Sequence, residues 1–195
     1  MAVKGFEGRD LARAAVFAAI IVVLGIAGAI PVGPVPITLQ TLGVMLAGVV
    51  LGPKRAAIAV GIVLVLVAVG LPVLSGGRGG LGVFAGPSAG YLIGWLPGAV
   101  VAGLIAKSSA ARISWWRTAL GALVGGIGVV YALGIPVQAA ILGMPLHEAA
   151  VGSLIFIPGD LVKVVLATVL ALALHRAYPR AFESGAAAKP AAQHA

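Results

Sequence analysis

Residues 158–176 read PGDLVKVVLATVLALALHR, and the way this stretch folds decides how the rest is read. Proline is tolerated at the first position of a helix and disfavoured inside one, so Pro158 marks a start. A helix from Pro158 to Arg176 rises about 28 Å, enough to cross the hydrocarbon core of a bilayer. It predicts a membrane span. Apolar character already begins near Ala149, but Pro158-Gly159 interrupts it. Leu146–Ile157 therefore reads as a short re-entrant or interfacial segment.

Working outward, five more apolar runs precede it: Leu11–Ile30, Ile37–Leu51, Ala56–Leu74, Pro87–Ala106 and Trp116–Leu142. Proline and glycine punctuate the gaps at Pro31 to Pro36, Gly52-Pro53, Ser75 to Gly86 and Gly143 to Pro145. The chain has 195 residues, 61% hydrophobic and 9% charged, with a mean hydropathy of +1.15. A soluble domain carries about 25% charged residues, so an ordinary cytosolic globule is excluded. Each crossing needs about 20 apolar residues, which leaves room for six helices and short loops. The expected architecture is an all-α integral membrane protein with six transmembrane helices. The first run is a full-length span followed at once by another, unlike a cleavable signal. There are no cysteines, hence no disulfide framework and no thiolate metal site.

Orientation follows from the basic residues. Of the 13 Lys and Arg, Lys4, Arg9, Arg13, Lys54, Arg55, Lys107, Arg112, Arg117, Arg176, Arg180 and Lys189 fall on one side of this topology. The other side holds Arg78, and Lys163 lies within the last run. Positive residues stay inside, so both termini are expected in the cytoplasm. The segments are then residues 1–10 as a cytoplasmic lead, 11–176 as the membrane domain, and 177–195 as a cytoplasmic tail. The tail's Ala-, Lys- and Pro-rich composition from Glu183 reads as disordered. The net charge of +8 reports topology, and the basic residues never cluster with aromatics as a nucleic-acid partner requires.

Few residues can carry chemistry. Asp160 and Lys163 are three apart and share a helix face. Ionisable groups within a span are costly and face the bundle interior, either as an ion pair that locks the helix or as part of a cavity. An aspartate at the mouth of a bundle accepts N–H bonds, and a lysine donates to carbonyl or carboxylate oxygens. Thr38, Gln40 and Thr41 interrupt the apolar pattern where the second helix begins. Thr38 there caps the helix or faces a ligand, whereas the amide of Gln40, once buried, needs partners on both its atoms.

Two motifs read weakly. Gly76-Gly77-Arg78-Gly79-Gly80-Leu81-Gly82 lacks the Gly-Lys-Ser/Thr ending and preceding strand of a phosphate loop. It reads instead as a flexible lid, or as backbone closing over a ligand. Gly86-Pro87-Ser88-Ala89-Gly90 matches the spacing of a serine-hydrolase elbow, with His147 and Glu148 as paper partners, but it opens a membrane helix rather than a strand–turn–helix. Pro87 starts that helix, and Tyr91 presents an aromatic face with a hydroxyl. Small residues recur at four-residue spacing in Ala14/Ala18, Ala15/Ala19, Gly48/Gly52, Gly94/Gly98 and Gly121/Gly125, which predicts close helix packing.

Three stretches stand out together: Pro34-Val35-Pro36-Ile37-Thr38-Leu39-Gln40-Thr41, Gly79 to Gly94, and Phe156-Ile157-Pro158-Gly159-Asp160-Leu161-Val162-Lys163. In combination they resemble the BioY family, the biotin-binding S components of energy-coupling factor (ECF) transporters. The resemblance runs from Leu11 to Arg176 in the same order. It implies the six-helix S-component fold and a biotin pocket at the outer surface. There Asp160 and Lys163 would grip the polar groups, and Tyr91 and the glycine-rich loop, Gly82 included, would line or cover the ligand. Thr38, Gln40, Phe84 and Ser88 complete the candidate set. The resemblance also implies that alanines of helix one, Ala14/Ala18 or Ala15/Ala19, meet a transmembrane coupling subunit.

Biotin's chemistry suits these residues. Its ureido N–H donors match an aspartate, its oxygens a lysine, and its ring Phe84, Tyr91 and aliphatic walls. With no Walker motif the chain is not expected to be an enzyme or to need a cofactor, and energy would come from two partner ATPase subunits. The rival readings are an S component for thiamine or riboflavin, and an intramembrane enzyme built on Asp160 or Ser88. Asp160 is the only carboxylate within a span, so the enzyme would lack a second acid or base.

Overall fold

The computed structural model describes residues 8–26, 29–109 and 111–182. Each apolar run forms a helix: α1 Gly8–Ile26, α2 Gln40–Leu51, α3 Pro53–Ala68, α4 Ala89–Ala106, α5 Trp115–Leu142 and, after a short α6 at Leu146–Ser153, α7 Ile157–Ala177. A 3-10 turn, Leu154–Phe156, joins α6 to α7, and Pro158 sits in the first turn of α7 as its ring requires. Three stretches, Ala89–Ala106, Trp115–Leu142 and Leu146–Ala177, are long and apolar enough to cross a bilayer alone. The others are shorter than the runs suggested. α2 has 12 residues because the chain before it is extended and Gly52, at φ 76°, turns straight into Pro53 of α3.

The extended part adds a two-residue ribbon beside the helices. Ala29–Ile30 (β1) pairs antiparallel with Ile37–Thr38 (β2), with Ala29 opposite Thr38 and Ile30 opposite Ile37. Pro31, Pro34 and Pro36 suit no helix interior, so the segment doubles back through Gly33 at φ 65° instead. Thr38 therefore does not cap α2. Leu39 holds that position, with no side-chain bond. Similarly, α4 begins at Ala89, so Pro87 and Ser88 form the turn before it rather than its first residues.

α4 lies at the centre, packed against α2, α3 and α5. Close approach explains the glycine pairs. A Cβ on Gly48 would sit 2.7 Å from the Ala99 carbonyl oxygen, and one on Gly98 would sit 2.6 Å from that of Gly125. Gly94 and Gly121 face Val130 and Ala102 in the same way. Gly52 is the exception, since it turns the chain and a Cβ there would meet nothing within 4 Å. The middle of α5 widens into a π-helical segment, Val124–Val129, where Gly126 leaves space that the Met45 side chain occupies.

Polar contacts gather the basic residues at one end of the bundle. Asp10 pairs with Arg55 at 3.4 Å, Arg13 donates to the Arg180 carbonyl at 2.7 Å, and His175 reaches the Ser109 carbonyl at 3.0 Å. The start of α1, the α2–α3 turn, the α4–α5 loop and the end of α7 thus converge. The chain after α7 stays packed against the bundle for a further turn. Pro179–Phe182 forms a 3-10 turn, and Phe182 is buried edge-on against His175, ring centres 5.1 Å apart. Residues 1–7 and 183–195, which hold most of the expected lead and tail, lie outside the described residues.

Candidate functional site

A cavity of about 670 Å³, counting its open mouth, lies at the end of the bundle opposite the basic residues. Its walls come from β2 and the start of α2 (Ile37, Thr38, Gln40, Thr41), the segment after α3 (Leu74, Arg78), and the first turns of α4 (Tyr91, Leu92, Trp95). Val130 and Tyr131 of α5, with Phe156, Asp160 and Lys163 at the α7 end, close the far side. The mostly apolar lining, with a few convergent polar groups, fits a small organic ligand.

The polar focus is the expected pair. Lys163 Nζ donates to Asp160 Oδ1 at 2.6 Å and to Thr41 Oγ1 at 3.0 Å, and both charged residues are 5% exposed. The other aspartate oxygen, Oδ2, accepts the Tyr131 hydroxyl at 2.6 Å. Each carboxylate oxygen therefore holds one protein donor and retains lone-pair capacity for another. Position within the first turn of α7 adds the favourable field of a helix N-terminus. A buried pair so placed stabilises little by itself, because its desolvation offsets its attraction.

The aromatic wall is ordered edge to face. Tyr91 meets Tyr131 at 5.8 Å and Phe156 at 6.4 Å between ring centres, nearly perpendicular in both cases. The Tyr91 hydroxyl is engaged elsewhere. It donates to Gln138 Oε1 at 2.8 Å and lies 2.8 Å from Ser153 Oγ, which itself donates to the Ala149 carbonyl. Tyr91 thus contributes ring rather than hydroxyl to the cavity.

Of the candidate residues, the structure brings Asp160, Lys163, Tyr91, Gln40, Thr38 and Ser88 to the cavity. Phe84 and Gly82 do not line it. They sit in a 3-10 turn, Leu81–Ala85, where side chains step by about 120°, so Val83 faces the cavity and Phe84 packs against the core. Gln40 is 1% exposed, but its amide is spent on the protein: Nε2 donates to the carbonyls of Ile21 and Val73, and Oε1 accepts the Ser75 N–H. The glycine-rich stretch is no free lid. Leu74 and Arg78 pair across a tight turn through Gly76 and Gly77, at φ 75° and 68°, and Gly80 N–H donates to the Val67 carbonyl at 2.7 Å.

Tyr131, Trp95 and Phe156 were not among the candidates, and Thr41, noted only as a polar break in the apolar pattern, meets Lys163. Tyr131 and Gln138 are the polar groups of the C-terminal half of α5, about two helical turns apart and hence on one face, a signal the sequence did carry. Ser88 lines the cavity, but His147 and Glu148 do not, and the described strands are two residues long, so the hydrolase elbow has no sheet to sit on. Among the described residues no group of three or more His, Asp or Glu could hold a metal.

On α1 the two alanine pairs separate, because a shift of one residue turns the helix about 100°. Ala14 and Ala18 are buried inside the bundle, 0% and 3% exposed, which removes them from any docking face. Ala15 and Ala19 are exposed, with Ala12 and Val16 beside them.

The BioY family model matches residues 1–180. The biotin transporter BioY of Rhizobium etli is 53% identical over 178 residues, covering 88% of this chain and 95% of that protein. That of Rhodobacter capsulatus is 50% identical, covering 89% and 96%. The crystal structure of the S-component for biotin from an ECF-type ABC transporter superposes with a TM-score of 0.82 at 36% identity, covering 88% of this chain and 95% of that one.

Proposed function

The chain belongs to the BioY family, and on that premise we propose that it captures biotin in the cavity and serves as the S component of an ECF-type transporter. It is a multi-pass membrane protein of a transporter family. The observation that carries the reading is the Asp160–Lys163–Tyr131 cluster, buried at one end of an otherwise aromatic and aliphatic cavity.

Biotin presents two ureido N–H donors, a ureido carbonyl, a thioether ring and a carboxylate at the end of a flexible chain. The carboxylate of Asp160 accepts the ureido N–H groups with its spare lone pairs, and Lys163 donates to the ureido oxygen. Tyr91, Trp95, Tyr131 and Phe156 enclose the ring. Arg78 lines the cavity, is exposed, and commits its Nε to the Ser75 carbonyl at 3.2 Å. Its terminal nitrogens suit the ligand's carboxylate.

In this reading the basic end lies in the cytoplasm and the cavity opens outward across the cytoplasmic membrane. The exposed face of α1 around Ala15 and Ala19 meets a transmembrane coupling subunit, since small residues permit close helix approach. Two partner ATPase subunits supply the energy, and no cofactor enters. Thr38 and Ser88 add hydroxyls to the walls.

Mass spectrometry of small molecules co-purified with the chain tests the substrate. Biotin should be found, and neither thiamine nor riboflavin should displace radiolabelled biotin at a hundredfold excess, on the order of 3 kcal/mol of discrimination. Recovery of another vitamin in its place would overturn the assignment.

A further inference from the structure

Gln40 was singled out for its buried amide, yet ligand capture leaves that amide unexplained, because its donors are already engaged. Those engagements join three parts of the chain. Nε2 donates to the Ile21 carbonyl of α1 at 3.4 Å and to the Val73 carbonyl at 3.1 Å, and Oε1 accepts Ser75 N–H at 3.2 Å. Ser75, 2% exposed, closes the circuit by donating its hydroxyl to the Gly25 carbonyl at 3.0 Å. Gly25 leaves the amide its space, since a Cβ there would lie 2.6 Å from Gln40 Nε2 and 3.0 Å from the Val73 carbonyl.

We infer that Gln40 is a positioning residue: with Ser75, it fixes the cavity wall carrying Leu74 and Arg78 to the last two turns of α1. The inference rests on reading the cavity as the biotin site. Residues 73–75 are loop backbone between α3 and the glycine turn, with no helix to hold them. Gln40 supplies the missing partners from below, and Leu74 then presents its side chain to the cavity while pairing with Arg78. Because two of the anchors are carbonyls of α1, the helix proposed to dock the coupling subunit and the wall of the ligand site move together. A disturbance at Gly25, which does not line the cavity, should therefore loosen the ligand.

The test is the release rate of radiolabelled biotin from the full chain purified in detergent. Gly25→Ala should speed release about tenfold, the loss expected when buried hydrogen bonds of this kind are displaced, while association stays within about twofold because Asp160, Lys163 and the mouth are untouched. On a Gln40→Ala background the same change should alter release by less than about twofold, since the side chain it displaces is gone. Should Gly25→Ala fail to fold, Ser75→Ala decides, with release expected about threefold faster. Release unchanged from the parent in the folded variant, association and release slowed or speeded alike, or effects that multiply in the double variant would overturn the inference. A parent chain that binds no biotin overturns the function proposed above, and this inference with it.

Discussion

Asp160 carries the site because it accepts from two directions at once, Lys163 on one oxygen and Tyr131 on the other. Removing either donor has a distinct consequence. Tyr131→Phe keeps the ring and its edge-on contact with Tyr91 but frees Oδ2, so the carboxylate is less firmly aimed. Biotin affinity should fall about 5- to 30-fold, near 1–2 kcal/mol, with little change in thermal stability. Lys163→Met leaves a buried aspartate without its cation. It should cost about 2–4 kcal/mol in binding and lower the unfolding temperature as well, because an unpaired charge remains. Titration and thermal unfolding of the two purified variants separate these outcomes. If Tyr131→Phe binds as the parent does, the tyrosine only fills space.

At this scale legibility in the sequence was uneven. Asp160 and Lys163 stand out because a charge inside an apolar run demands an explanation. Tyr131 stands out less, because only its spacing from Gln138 marks it within a long apolar helix, and its hydroxyl's partner lies 29 residues away. Gln40 was visible as a residue needing partners, but the partners are backbone atoms brought in by tertiary packing, which no local pattern encodes. Phe84 and Val83 exchanged roles through the phase of a single 3-10 turn.

Among the elements, α1 bears the clearest division of labour. Its buried side, Ala14, Phe17, Ala18 and Ile21, packs into the bundle, while Ala15 and Ala19 face outward. Ala15→Trp or Ala19→Leu should abolish uptake in cells and leave biotin binding by the purified chain intact, since only the partner's approach is blocked. Ala18→Leu should instead lower stability by about 1–3 kcal/mol through overpacking, and binding and uptake should fall together. Uptake assays paired with binding on the same variants check this. If Ala15→Trp and Ala19→Leu transport normally, the docking face lies elsewhere. The spacing of small residues alone left both pairs open, because a four-residue repeat fixes a face but not which way that face points. The helices themselves were legible from hydropathy, whereas the β1–β2 ribbon was not: its prolines mark a break without saying that the chain returns to pair.

For the whole molecule, charge sets the frame. The contacts of Asp10 with Arg55, Arg13 with Arg180 and His175 with Ser109 collect the basic segments at one end, and the cavity occupies the other. The chain lacks cysteine, so single cysteines report orientation cleanly. Leu81→Cys, at a position 72% exposed beside the cavity, should react with an impermeant thiol reagent in intact cells, and Ser109→Cys should react only after the membrane is opened. The opposite pattern would invert the topology.

Capture of biotin by Asp160 at the bottom of that cavity is the claim on which the rest depends, and isothermal titration of biotin into ligand-free parent chain and Asp160→Asn tests it most directly. Asparagine keeps the shape but turns half of the acceptor into a donor facing the ureido N–H groups. The parent should show one saturable site, and the variant, still folded, should bind about 30- to 1,000-fold more weakly, near 2–4 kcal/mol. A folded Asp160→Asn chain that binds biotin within about threefold of the parent would contradict the account, since the aspartate would then serve the fold and not the ligand.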